Sequence, residues 1–259
     1  MNVLAAIKRV PDTGAKIVLT DDQRDIDASN LGYTMSPHEE CAIEEAVQQV
    51  EEHGGSVTVL TLGPEDATEQ LRTGLAMRAD EATLLQTDGA EWAPRETASA
   101  IAEAARQAEA DGEGFDLLLF GNESADMGNY QVPIRVAREL DLPVVTGVKD
   151  LEVDEDAGVA TAKREISGGS EVYEVGLPAV LSVKEGLNEP RYPSMRAKMQ
   201  ARQTEVATVE PAQESGPGRF EMVRLEAPEE ELGEAEILGE GPDAAEAVVS
   251  VLRDEVEVL

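Results

Sequence analysis

Three segments of this chain carry residue types that hold a ligand rather than react with one. The first runs from Ala6 to Asp12, where an apolar stretch gives way to Lys8-Arg9 and then Pro11. The second is Ser36-Pro37-His38-Glu39, the opening of a helix whose free amides and dipole favour an anion. The third, Gly121 through Gln131, is a glycine-containing polar loop able to set amides and short side chains around phosphates. Groups that could carry covalent chemistry are sparse: His38, His53 and Cys41 are the only histidines and the only cysteine. No paired-acid motif, metal-ligand spacing or nucleophile elbow occurs, so no residue is assigned to catalysis or to a metal, and nothing supports hydrolysis. By position His38 is a first-turn surface residue and His53, beside Gly54, a solvated helix end. Cys41 reads as a small buried filler and the many carboxylates as solvated faces.

A fourth segment, Lys184 to Arg196, is stiff rather than polar. Pro190 and Pro193 flank Arg191 and Tyr192. Each proline fixes φ and removes a backbone donor, so neither helix nor strand runs through it. The chain therefore leaves the apolar run Leu177–Val183 on a shaped loop that carries Arg191, Tyr192 and Met195. On these residues alone it is a rigid exit turn.

The elements that must position these segments follow from hydrophobic periodicity. Val3–Val10 reads as a first, central strand, and residues 13–35 as irregular with a small hairpin at Lys16–Leu19. Ser36 as cap, Pro37 at the first helical position and Glu39 as the closing member of a capping box start a helix. Its apolar face is Ala42, Ile43, Ala46, Val47 and Val50, and Gly54-Gly55 ends it. Strands at Val57–Leu62, Ala82–Leu85 and Phe115–Phe120 then alternate with helices opened by Gly63-Pro64 and Pro94, and with one near Gln131–Leu140. Such alternation predicts an α/β fold with an open, mostly parallel Rossmann-like sheet, covered on both faces. Ligands bind such sheets at the carboxyl ends of the strands, where strand order reverses. After residue 146, Leu151–Val153, Val159–Arg164, Val172–Val175 and Ala179–Val183 read as added antiparallel strands. Residues 204–241, rich in Glu, Pro and Gly, read as an extended C-terminal arm, and Pro242-Asp243 starts an amphipathic helix with Ala245, Val248, Val249 and Leu252, which either docks on something else or folds back on its own domain. The expected division is an α/β domain over 1–203 and an arm with a terminal helix over 204–259.

Composition narrows the partners. The chain has 54 Asp plus Glu against 21 Lys plus Arg, a formal net charge of −33 spread along its whole length. That field repels nucleic acid and anionic membranes. It suits molar salt, where the Debye length falls to ~3 Å; a mesophilic acidic protein with a basic partner is the alternative. No apolar run reaches the ~18–20 residues of a bilayer span, no basic leader precedes the first strand, and one thiol cannot form an internal disulfide. The expected location is the cytoplasm, without membrane insertion.

Leu187-Asn188-Glu189-Pro190-Arg191-Tyr192 resembles the signature of the electron transfer flavoprotein β subunit family. Val3–Asp12 is similar to its first strand and Lys-Arg-Val-Pro-Asp turn, Ser36-Pro37 with Ala42-Ile43-Glu44-Glu45-Ala46 to its first helix, and Gly121–Val132 to its adenine nucleotide loop. The resemblance spans about residues 2–210 and implies an adenine nucleotide α-hydrolase-like sheet. It implies an electron-carrier subunit, not a catalyst by itself, that joins an α subunit holding most of the FAD. This subunit would hold AMP or, in bifurcating members, a second redox-active FAD. Ala6, Ser36, Leu62, Asn129, Gln131 and Val132 would contact the nucleotide; Thr13 and His38, with Pro37 and Glu39 in the same turn, would lie near the flavin. Residues 184–203, through Arg191, Tyr192, Pro193, Ser194 and Met195, would be a recognition loop for acyl-CoA and related flavin dehydrogenases. Electrons would pass on to a membrane quinone oxidoreductase, and the arm and last helix would wrap the α subunit. The chain departs from the family pattern at Ser36 (usually Asn), at Asp126-Met127-Gly128-Asn129, at Pro133 (a Gly beside the phosphates), at Met195 (an anchoring Leu), and in a thinned basic stretch at Lys198, Gln200 and Arg202. Val10-Pro11-Asp12-Thr13 also resembles the bifurcating type. A non-redox nucleotide-binding regulatory module shares the βα alternation but gives no reason for Leu187–Tyr192.

Overall fold

The computed structural model describes residues 1–12, 14–212, 222–227, 237–256 and 258. In chain order the strands are β1 (Asn2–Ile7), β2 (Val10–Pro11), β3 (Tyr33–Thr34), β4 (Ser56–Gly63), β5 (Glu81–Gln86), β6 (Leu117–Gly121), β7 (Val144–Asp154), β8 (Val159–Ile166), β9 (Gly169–Gly176), β10 (Ala179–Val183) and β11 (Ala207–Val209). The helices are α1 (Pro37–His53), α2 (Thr68–Ala76), α3 (Pro94–Ala110), α4 (Val132–Leu140), α5 (Met195–Ala201) and α6 (Ala245–Asp254). Nine strands form one sheet in the order β11-β5-β4-β1-β6-β10-β7-β8-β9, and β2 pairs with β3 antiparallel. The expected α/β, mostly parallel sheet with added antiparallel strands is what the chain forms.

Side chains alternate across the central strands. Val3, Ala5 and Ile7 of β1 join Ile43, Ala46, Leu71 and Leu75 beneath α1 and α2, while Leu4 and Ala6 join Ala98, Ile101, Val136 and Ala137 beneath α3 and α4. With few aromatics, the layers close by near approach: a Cβ added to Gly74 of α2 would lie 2.8 Å from Val59 Cγ1 of β4. Helix α1 starts as its sequence dictates. Ser36 accepts from the Glu39 amide, and the Glu39 carboxylate accepts from the Ser36 amide at 2.8 Å.

Four details differ from the sequence expectation. Ala179–Val183 is not an antiparallel addition: β10 runs parallel between β6 and β7 and is buried at all five positions. A continuous apolar run buried on both faces belongs inside a sheet, where each Val or Leu contributes about 1.5–3 kcal/mol. Leu151–Val153 is the second half of the strand that begins at Val144; β7 pairs parallel with β10 up to Val148 and antiparallel with β8 from there on. The reversal expected at Lys16–Leu19 lies further on, at the Leu19–Ile26 bridge, with Gln23 at φ 55°. The arm expected from residue 204 begins as part of the sheet, since β11 adds to β5 as an edge strand. At the other end, α6 buries none of its residues, and Val248 and Val249 stay 41 % and 40 % exposed. Among the described residues no helix is long and apolar enough to cross a membrane.

Candidate functional site

Strand order reverses between β1 and β6, because the chain builds outward through β4 and β5 before returning to β6. The carboxyl ends of these two strands therefore frame the crevice where open α/β sheets take ligands. The structure brings the sequence-derived residues to this edge from both faces. Ala6 sits one residue before the end of β1 and Leu62 one before the end of β4, both against the α3/α4 layer. Asn129, Gln131 and Val132 lie where the 121–131 loop enters α4, and Ser36, Pro37, His38 and Glu39 lie in the first turn of α1. The loop joins the two sets: Ser36 Oγ donates to the Glu123 carbonyl at 3.4 Å, and His38 Nε2 is 3.7 Å from Glu123 Oε1. Thr13 lies outside the described residues.

Two charged residues hold the crevice together. Lys8 Nζ reaches Asp126 Oδ2 at 2.7 Å and Glu91 Oε1 at 2.8 Å, and so ties the loop after β6 to the loop after β5. Burial pulls the Lys8 ammonium down, but the two carboxylates outweigh it and leave its pKa above the ordinary value. Glu39, only 5 % exposed, accepts the Lys8 amide at 2.7 Å as well as the Ser36 amide. Burial pushes its carboxyl up to about 7 against the pull of those amides. A Cβ on Gly121 would lie 2.7 Å from Glu39 Cγ, so only glycine lets β6 approach this turn so closely.

These contacts alter one sequence expectation. The N-terminus of α1 is poorly suited to an anion, because its capping box takes up the Glu39 amide and sets a buried carboxyl in the turn. The N-terminus of α4, like those of α2 and α3, has no side-chain cap: Gln131 precedes α4, but the Gln131 side chain accepts from Arg135 at 2.9 and 3.1 Å and caps no helix amide. Unfilled first-turn amides and the helix dipole there suit a phosphate, less the one donor that Pro133 lacks. Trp92 adds a second mark of a ligand. Its indole is 7 % exposed in one apolar cluster with Leu60 and Leu85, and its Nε1–H has no partner among the described residues, one residue from the Glu91 that holds Lys8. The residues present thus fit the polar parts of an adenine nucleotide. Glu91 and Trp92 escaped the sequence reading, and Lys8 entered it only as part of the Ala6–Asp12 segment; the signal available was a lone tryptophan placed between a strand end and Pro94.

The 184–203 segment folds as a short loop followed by α5, with Ser194 as the N-cap of that helix. Tyr192, Met195 and Met199 are 89 %, 75 % and 62 % exposed, and Lys198 Nζ is 4.7 Å from the Tyr192 ring. Met195 and Met199 are four residues apart on one helical face. Pro193 is half-buried. Arg191 turns the other way. Its guanidinium and amide bond Glu44 at 2.8–3.0 Å, and the guanidinium bonds Glu51 at 2.8 and 3.1 Å. Burial raises the Glu44 carboxyl, but bonds from Arg191 and Gln48 bring it below the ordinary range; Arg191 and Arg78 hold Glu51 at about 2. Glu44 and Glu45 are 4 % and 5 % exposed, and so are not the solvated carboxylates that sequence alone suggests. His53 is also drawn in, its Nδ1 3.8 Å from Glu155 Oε2. Cys41 is buried, as expected.

Comparison with known proteins gives the same family from independent matches. The electron transfer flavoprotein domain matches residues 25–214. The electron transfer flavoprotein subunit beta of Bacillus subtilis is 34 % identical over 265 residues, covering 100 % of both chains. That of Syntrophomonas wolfei is 40 % identical over 80 % of this chain and 79 % of its own. The mitochondrial subunit beta of Arabidopsis thaliana is 34 % identical over 78 % of each. A sheet with its crevice at the β1/β6 reversal, a nucleotide-compatible loop and full-length similarity all agree: this chain belongs to the electron transfer flavoprotein beta-subunit family.

Proposed function

We propose that this chain is the β half of an electron-carrying heterodimer, binding an adenine nucleotide at the β1/β6 crevice and completing a flavin site held mainly by an α subunit. The observation that carries the reading is the crevice itself. An uncapped α4 and the Lys8-held loop 121–131 lie at the strand-order reversal, and the buried indole of Trp92 follows β5 at the same carboxyl edge of the sheet. Ala6 and Leu62 supply an apolar floor and Asn129, Gln131 and Val132 the phosphate side. Ser36, Pro37, His38 and Glu39 shape the opposite wall, with Thr13 on the loop that follows β1. Electron transfer is the flavin's own chemistry. The chain's part is to hold the nucleotide, exclude water and fix distance.

Exposed Tyr192, Met195 and Met199 support a docking role for 184–203 toward acyl-CoA and related flavin dehydrogenases, with Pro193 and Ser194 shaping the segment. A membrane quinone oxidoreductase would take the electrons onward. The bare apolar side of α6 supports the α subunit as its cover, with residues 204–259 as the wrapping part. AMP fits better than a second redox-active FAD, because Pro133 removes a phosphate donor. Its charge suits a cytoplasm at molar salt.

The test is co-expression with the α subunit, purification in high salt, and release and quantification of bound FAD and AMP. One FAD with one AMP per heterodimer is expected. Two FAD would establish the bifurcating type. Folded subunits that form no flavin complex would overturn the reading in favour of a nucleotide-binding regulatory module.

A further inference from the structure

Arg191 lies in the segment read above as a docking surface, yet it spends its whole side chain on α1. Its amide, Nε and Nη2 engage both carboxylate oxygens of Glu44, and Nη1, with Nη2 again, engages Glu51. Three residues earlier, Asn188 Nδ2 donates to the Cys41 carbonyl at 3.1 Å and to Glu45 Oε2 at 3.0 Å. Helix α1 thus grips the segment at two points, through three carboxylates, two of which are almost fully buried.

Buried ion pairs are a poor way to gain stability, because desolvation offsets most of the attraction and well-packed apolar residues serve as well. Their distinctive effect is geometric, above all for a bidentate guanidinium fork. Tyr192 and Met195, by contrast, are 89 % and 75 % exposed and have little packing of their own to fix them. We propose that Glu44 and Arg191 are positioning residues for partner docking: their clamp holds the chain at 191 so that Tyr192 and Met195 stand preformed on the surface. This rests on the reading of 184–203 as the docking segment. A preformed segment loses less conformational freedom on binding, so loosening it weakens association without touching electron transfer inside the complex.

The test uses the purified heterodimer as electron acceptor for an acyl-CoA dehydrogenase of the same source, with Glu44→Gln, Arg191→Lys and Tyr192→Ala variants. Glu44→Gln should raise the dehydrogenase's KM for the heterodimer about tenfold, the effect of leaving one or two side chains to be ordered on binding. Its kcat and its bound FAD should be unchanged. Native-state trypsin cleavage after Arg196 and Lys198 should speed up. Combining Glu44→Gln with Tyr192→Ala should add little to the KM change of Tyr192→Ala alone. Arg191→Lys, which keeps the charge and loses the fork, should behave like Glu44→Gln and stands in for it if that variant does not fold. Tyr192→Ala raising KM while Glu44→Gln and Arg191→Lys leave KM and cleavage unchanged would overturn the clamp alone. Losses of kcat and FAD in proportion would also overturn it, by showing a general folding role. A Tyr192→Ala variant with unchanged KM would overturn the docking reading and the clamp with it.

Discussion

His38 Nδ1 accepts a hydrogen bond from the Glu185 amide at 2.7 Å. An imidazole nitrogen accepts only when it carries no proton, so in this contact the ring proton sits on Nε2, toward Glu123 3.7 Å away. One side chain in the first turn of α1 thus links the loop after β6 to the base of the 184–203 segment. His38→Ala should cost about 1 kcal/mol in urea unfolding, the worth of one hydrogen bond. His38→Asn, which keeps an acceptor near the Nδ1 position, should recover most of it. Equal losses in the two variants would remove the hydrogen bond as the cause.

Glu39 makes stability pH-dependent in a defined direction. Its carboxyl stays protonated up to about 7 when folded, against 4.5 in an ordinary setting. Between those values the folded state holds a proton that the unfolded chain has released, so this group's contribution falls as pH rises. In Glu39→Gln that slope should vanish. The wild-type stability, measured relative to the variant, should drop by about 3 kcal/mol as pH goes from 4.5 to above 7. Chemical denaturation of both proteins across that range is the measurement, and a constant difference would contradict it.

Lys8→Met should leave the sheet intact and release the 121–131 loop, held at Asp126, from the loop after β5, held at Glu91. Losing two charge-assisted bonds, one to Asp126 and one to Glu91, should weaken nucleotide retention about tenfold, read by equilibrium dialysis of the heterodimer with labelled AMP.

Gly121→Ala places a Cβ 2.7 Å from Glu39 Cγ and 3.1 Å from the Glu39 amide. The strand end and the capped turn must then separate, at about 1–3 kcal/mol in thermal or urea unfolding. An unchanged midpoint would mean the turn yields freely.

Val248→Asp with Val249→Asp should change the stability of the isolated chain by no more than about 0.5 kcal/mol, since α6 buries none of its residues. The same pair should lower the yield of heterodimer on co-expression. A destabilised isolated chain would instead mean that α6 folds back onto its own domain.

Much of this protein is short-range and so was legible in the residues. The Ser36–Glu39 capping box, Pro37 and Pro94 at helix starts and Gly54 at a helix end act within one turn of chain. The alternation of strand and helix over residues 2–145 needs only hydrophobic period and length, and it located the crevice at the strand ends. Leu187–Tyr192 marked the family without any coordinates.

What depends on distant partners was not legible. The run Ala179–Val183 says that it is buried on both faces but not beside which strands, because an apolar run has no period to read; β6 and β7 decide that it runs parallel between them. Arg191 looks like a contact residue because it sits between two prolines in an exit loop, and it takes the fold to bring Glu44, 147 residues away, within 2.8 Å. Lys8, Glu91 and Asp126 likewise meet only where three strand ends converge. The sequence by itself determined most of the elements, the family and the edge of the sheet at which open α/β sheets take ligands. Only the tertiary structure decided which carboxylates are buried and which side of the 184–203 segment faces outward, because burial and charge pairing are properties of neighbours that the chain brings together by folding.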